Sequence, residues 1–301
     1  LKIETDGEYA DVMERALYNG VLSGIALNGK RFFYGNPLAA YPPVCGITRQ
    51  KWFGCACCPT NITRLLASFG KYLYSLNDRE IYVHLYVQSH AEMTVAGELL
   101  SLEQKTNYPW DGKVKIIIKP PANRGSSENK KINFTLALRI PAWCRKFGLR
   151  VNGKTIRTTA PACGYIKIAR NWRWNDEIEL VLPMPVEEIE AHPSVRHNCG
   201  RIALQRGPLV YCLEEADNGP ELNDIALPKQ PRWKVRFDRR LLGGIPVVLG
   251  QACSRSKKSW NNKLYQPGQS SLEKRIIKAV PYCLWNNRGA GEMLVWIRKE
   301  G

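Results

Sequence analysis

The 301 residues are 44% hydrophobic and 24% charged, a globular composition with no apolar run near the roughly 18 residues of a membrane-spanning helix. Net charge is +17 and uneven, residues 229–301 holding 16 Lys or Arg against 4 Asp or Glu. No helix-turn-helix, zinc-finger or aromatic ribonucleoprotein pattern accompanies that excess, so a solvated basic face is expected, with neither nucleic acid nor a membrane as partner.

Helical periodicity is confined to the first quarter. In "EYADVMERALYNGVLSGI", Tyr9, Val12, Met13, Ala16 and Gly20 fall at helical spacing, with Gly20 and Gly24 as stops. The stretch "GKRFFYGNPLAAYPPVCG" reads as a loop or short hairpin, punctuated by Gly35, Pro37, Pro42 and Pro43. A second helix follows "WFGCACCP", where Ile62, Leu65, Leu66, Phe69 and Leu73 form an apolar face suited to burial against neighbouring helices. Two helices cannot close a core. Residues 1–81 are therefore expected to end a larger helical assembly.

From about residue 80 the period is two. "INFTLALRIP" sets Phe134, Leu136, Leu138 and Ile140 on one face, and "NDEIELVLP" does the same with Ile178, Leu180 and Leu182 after an Asn175-Asp176 turn. "GLRVNGKTI" contains Asn152-Gly153, the strongest short hairpin signal. Further strands are expected at 81–88, 113–119, 201–213 and 276–283. The spacing predicts two antiparallel β-sandwiches, at 82–186 and, basic in character, at 187–301.

The chemistry concentrates in "GCACCP". Pro59 suits a first helical position, which makes Cys58 the expected N-cap with Cys57 just outside it. Unpaired N–H groups and the helix dipole there favour thiolates, the form that attacks electrophiles and binds soft metals. Adjacent thiolates repel each other, and zinc is the natural ion to relieve them. Other readings stay open. The thiols could be buried helix caps, a strained redox pair, or a structural zinc site formed by Cys45, Cys55, Cys57 and Cys58. The other six cysteines lack the short regular spacings of a disulfide scaffold, which suggests a reducing, cytoplasmic setting.

"YADVMERALYNGVLSGIALNGKRFFYGNPL" followed by "QKWFGCACCPTNITRLL", then "NYPWDG", "LALRIPAW", "LRVNGK", "RGPLVYC" and "LLGG", resembles glycoside hydrolase family 127, the β-L-arabinofuranosidases. The resemblance runs over nearly the whole chain and implies the C-terminal helices of an (α/α)6 barrel, followed by two β-sandwich domains. It implies an L-arabinofuranose-containing oligosaccharide or glycan as substrate, and a homodimer. It implies Cys57 as a nucleophile that also binds zinc, Cys58 as a zinc ligand, and Cys55 and Tyr34 in the substrate pocket.

The sequence departs from that pattern in its missing carboxylates. The family's Glu-x-Cys zinc ligands, its acid/base Glu and its sugar-holding histidines have no matching positions here. Glu4, Glu8 and Glu14 align with helix residues, while His84, His90, His192 and His197 fall in strand-like regions. Because the chain opens on Leu1, the expectation is a fragment, inactive alone unless a companion chain supplies the other helices. The alternative is a non-catalytic carbohydrate-binding or assembly module with a vestigial cysteine cluster.

Overall fold

The computed structural model describes residues 1, 3–42, 48–55, 57–122, 130–158, 160–257, 260, 263–268 and 271–300. Packing divides the chain into two units, Leu1–Ala16 with Thr63–Pro185 and Leu17–Ile62 with Val186–Gly301.

In the first unit the alternating segments pair into two sheets. One has the order Tyr165–Arg173, Lys131–Arg139, Glu80–Val83, Tyr74–Leu76, and the pairing of Glu80–Val83 with Lys131–Arg139 is parallel. The other runs Ser89–Val95, Glu98–Thr106, Lys113–Lys119, Glu177–Val181, Gly148–Val151, Lys154–Thr155. Phe134, Leu136 and Leu138 are buried from the first sheet, and Leu100, Leu102, Ile116, Ile178 and Leu180 from the second. At Asn152 and Gly153 φ is 50° and 74°, the two left-handed residues that a two-residue hairpin needs.

Helix α1 (Gly7–Arg15) begins at Asp6, whose Oδ1 accepts from the Glu8 N–H at 2.8 Å. Its buried stripe is Gly7, Ala10 and Glu14, whereas Tyr9 and Val12 are exposed. The apolar face read from the sequence is thus not the one buried. The register is set by a polar contact. Arg139, wholly buried, donates to Asp11 and Glu14 and through Nε to the His84 carbonyl. Tyr108 and Trp143 also donate to Glu14, at 2.5 and 3.2 Å.

Beside this network His84 is buried, with Nε2 2.5 Å from Ser75 Oγ and Nδ1 2.6 Å from the Tyr165 hydroxyl. Burial, helped by the Arg139 charge, pushes its pKa down to about 4. The unfolded chain takes up this proton near pH 6.5, the folded chain only near 4. Stability is therefore full above about pH 6.5 and falls as pH drops toward 4, by up to about 3 kcal/mol from this group. Urea midpoints measured across that window should fall with acid, and His84→Gln should flatten the dependence.

The second unit is a single ten-stranded network. Leu209–Glu214 pairs with Leu272–Pro281, which pairs with Ile245–Arg255 and so on through Ala226–Leu227, Ile297–Lys299 and Arg201–Arg206 back to Leu209–Glu214. Six strands therefore close on themselves as a barrel, which leaves those strands no open edge. Leu204, Tyr211, Leu213, Val247, Ala279 and Ile297 are buried. The basic residues Lys229, Arg232, Lys234, Arg236, Arg239 and Arg240 are all exposed, as a solvated face requires.

These observations correct the expected architecture of (α/α)6-barrel helices followed by two antiparallel sandwiches. The chain is mainly β, and among the described residues its α-helices are α1, α2 (Cys57–Ala67) and the short α3 (Glu215–Asn218), too few and too short to wall a helical barrel. The helical period of residues 1–81 was real at α1 and α2, but a period reports one helix at a time, not the assembly. After α1 the chain passes into a π-helical turn, Ala16–Val21, and a 3-10 turn, Leu22–Gly24. On α2 Leu66 is exposed and Ile62 and Leu65 only half-buried. In the second unit, ring closure replaces the expected pair of sheets.

Candidate active site

The four residues singled out by sequence come together within the second unit. Helix α2 starts at Cys57, so Cys57 and Cys58 both lie in its first turn, a shift of one to two residues from the expected cap. Pro59 then occupies another of the positions whose N–H has no intrahelical acceptor. Gly24 lets the preceding loop approach the helix closely: a Cβ there would meet Ile62 Cδ1 at 2.6 Å, so the Ile62 side chain would have to shift. Asn36 ties the following loop back, its Nδ2 donating to the Gly20 carbonyl at 2.9 Å.

Phe32 bridges Gln50, and the Phe33 N–H donates to the Gly24 carbonyl at 2.9 Å, which fixes the segment that leads into Tyr34. Phe33 is buried, stacked on Trp285 at 4.5 Å, and Tyr34 is exposed. Tyr34 packs against Phe53 at 5.5 Å and places its hydroxyl 3.7 Å from Cys57 Sγ. Cys57 Sγ is also 3.5 Å from Cys55 Sγ and 3.7 Å from Cys58 Sγ. Cys57 is the hub.

This arrangement splits the neighbouring thiols electrically. Cys57 is held below the usual thiol range, first by the hydrogen bond with Tyr34 and then by those with Cys55 and Cys58. Cys58 is pushed up by sharing its hydrogen bond with Cys57, and Tyr34 is pushed up to about 12 because its O–H serves the Cys57 sulfur. Ionisation is thus directed to Cys57 rather than Cys58, the sulfur that a phenol and two thiols steady as an anion being Cys57.

Zinc fits this pair in part. Two zinc–sulfur bonds of about 2.3 Å at a tetrahedral angle set sulfurs about 3.8 Å apart, and the Cys57–Cys58 separation is 3.7 Å. Among the described residues no group of three or more His, Cys, Asp or Glu side chains is arranged to hold a metal ion. The sulfurs of 57 and 58 thus suit two corners of a site. Cys45, which the four-sulfur reading required, lies outside the described residues.

Sequence reasoning missed Phe53 and Arg49, which hold this segment from below. Arg49 is buried, lies 4.2 Å over the Phe33 ring and donates from Nη2 to the Trp285 carbonyl at 3.0 Å. The aromatic run "RFFY" was the available signal for the Phe33 side of that stack. Its Trp285 partner lies more than two hundred residues away, and no local pattern announces it.

Comparison with known proteins places three family descriptions along the chain in order. They are "Beta-L-arabinofuranosidase, GH127 catalytic domain" at residues 1–71, "Beta-L-arabinofuranosidase, GH127 middle domain" at 80–184 and "Glycoside hydrolase family 127 C-terminal domain" at 186–298. The chain is 36% identical to a non-reducing end β-L-arabinofuranosidase of Bifidobacterium longum subsp. longum, over 99% of this chain and 46% of that protein. A crystal structure of a GH127 β-L-arabinofuranosidase from Geobacillus stearothermophilus T6 superposes with a TM-score of 0.91 at 46% identity, over 99% of this chain and 47% of that one. A solved GH127 β-arabinofuranosidase gives 0.87 at 35% identity, over 98% of this chain and 46% of that one. The chain spans about half the length of these relatives. With its cysteine cluster, its strand pattern and all three domain matches in register, the chain belongs to glycoside hydrolase family 127.

Proposed function

We propose that this chain carries the nucleophilic half of a retaining glycoside hydrolase site that releases L-arabinofuranose from the non-reducing ends of glycans. The observation that carries the reading is Cys57, whose thiol is exposed in the first turn of α2 and lowered in pKa by Tyr34. The Cys57 thiolate attacks the anomeric carbon while the glycosidic C–O bond breaks and the leaving oxygen takes a proton from an acid. Water then displaces the sulfur, its proton passing to the conjugate base, and the sugar leaves with its configuration kept.

Tyr34 donates to the sulfur while it is anionic and loses that bond as sulfur becomes a thioether, so it also tunes Cys57 as a leaving group. Cys55, 3.5 Å from Cys57, lines the same spot. Cys57 and Cys58 would hold zinc, which when bound keeps thiols deprotonated at neutral pH. The hydrogen-bond partners of Cys57 Sγ among the described residues are Cys55, Cys58 and Tyr34, none of them a carboxylate. The acid is thus assigned to residues outside this chain's described cluster, and the 301 residues alone are expected to be inactive unless a companion chain provides it. The nine described cysteines are all free thiols, which suits a reducing compartment.

Assay of an aryl β-L-arabinofuranoside tests the reading. No turnover is expected from the chain alone, and turnover is expected once it is joined to the half of the Bifidobacterium longum relative that it does not cover. Ready turnover by the chain alone would contradict the division of labour. Metal binding is checked separately with cobalt(II), whose thiolate charge-transfer band should appear with the chain and vanish in Cys57→Ser/Cys58→Ser. An unchanged band in that variant would remove these two sulfurs as ligands.

A further inference from the structure

A cavity of about 730 Å³ lies in the second unit, lined by Asn28, Arg31, Arg49, Lys51, Trp52 and Asn287 among others. Among the described residues no Asp or Glu lines it. Arg31 and Lys51 are exposed and make no ion pair among the described residues. Arg49 forms part of the wall while 5% exposed, and its Nε and Nη1 have no hydrogen-bond partner among the described residues. Glu214, whose charge acts on Arg49, is already engaged by Arg288. Of the three cations around the cavity Arg31 and Lys51 are solvated, while Arg49 is buried and shares its acidic neighbour with Arg288, so an anion entering the cavity would gain from all three and relieve the buried one.

The remaining lining narrows the ligand. Trp52 is 62% exposed and contributes its indole to the lining. Asn28 uses its Oδ1 on the Lys30 N–H at 3.0 Å, which leaves its amide N–H groups as donors. Asn287 braces the opposite wall, its Oδ1 accepting from the Leu27 N–H and its Nδ2 donating to the Leu284 carbonyl, at 2.9 and 2.8 Å. An aromatic face for the C–H side of a sugar ring, amide donors for hydroxyls and guanidinium groups for a carboxylate make one set.

We propose that this cavity is a binding site for an acidic sugar residue, a hexuronate, of a glycan. The choice of a sugar over other anions rests on the glycan-acting reading above. Arg31 and Lys51 attract and pair the carboxylate, the buried Arg49 supplies the fixed positive field behind it, and Trp52 stacks on the ring.

The test is calorimetric titration of the whole chain with α-1,4-linked trigalacturonate, with the same trisaccharide fully methyl-esterified, and with sodium sulfate. Trigalacturonate should bind about tenfold or more tightly than its ester, the scale of one charge-assisted contact, and progressively more weakly as salt rises. The double variant Arg31→Ala/Lys51→Ala and the single variant Trp52→Ala, all three exposed positions, should each weaken it about tenfold with unchanged melting temperature. Equal affinity for ester and acid, or unaltered binding by the double variant, would overturn the proposal. Sulfate binding as tightly as the trisaccharide would overturn the sugar assignment in favour of a bare anion site. Binding is read without turnover, so failure here leaves the assignment of Cys57 standing, and failure of Cys57 as nucleophile leaves this binding intact.

Discussion

Exchanging Cys57 for serine is expected to lower hydrolysis of an aryl β-L-arabinofuranoside by on the order of 10⁴-fold or more, as loss of a covalent nucleophile does elsewhere. The measurement is kcat on the chain joined to the complementary half of the Bifidobacterium longum relative. Serine keeps the size and the helix position but ionises far less readily, and it cannot share the soft hydrogen bonds that join Cys57 to Cys55 and Cys58 at 3.5 and 3.7 Å. Cys55→Ser should cost much less, because that thiol supports the anion without attacking. If Cys57→Ser and Cys55→Ser were equally mild, the cluster would be structural, and the chain would read as a binding module.

The second large effect concerns stability. Arg139→Met should destabilise the chain by about 3–5 kcal/mol, the cost of leaving buried partners of an ion network uncompensated. Arg139 is wholly buried, and Glu14, its partner on α1, is 1% exposed. Asp11 is held above the usual carboxylate range by burial, with Arg139 pulling the other way, so removing the cation raises it further. Urea denaturation reads the loss. Replacing Glu14 by methionine together with Arg139 should recover part of it, since only the less buried Asp11 then lacks its cation. A double variant as unstable as the single one would mean that packing, not charge, holds α1 in its register.

The sequence was most legible where structure is local. Asn152-Gly153 marked its hairpin, and the alternation of Phe134, Leu136 and Leu138 marked a strand and its buried face. The cysteine run was legible as well, because a helix mouth is a local feature and three of the site residues lie within four positions. What remained hidden depends on distant partners. The buried side of α1 is decided by Arg139, more than a hundred residues away, so the apolar Tyr9 and Val12 misled. Barrel closure in the second unit depends on the pairing of Ala226–Leu227 with Ile297–Lys299, short strands whose sequences carry no period to read. Tyr34 was reached through resemblance. Its physical role appeared only when the Phe32–Gln50 bridge turned its phenol toward sulfur.

The most direct measurement is the pH dependence of iodoacetamide alkylation at each cysteine, followed by mass spectrometry on the metal-free chain. Cys57 should react fastest, with a midpoint below the ordinary thiol value of about 8.5, and Tyr34→Phe should move that midpoint upward. Reaction no faster than at the exposed Cys163 and Cys199, with no response to Tyr34→Phe, would contradict an ionised sulfur at position 57.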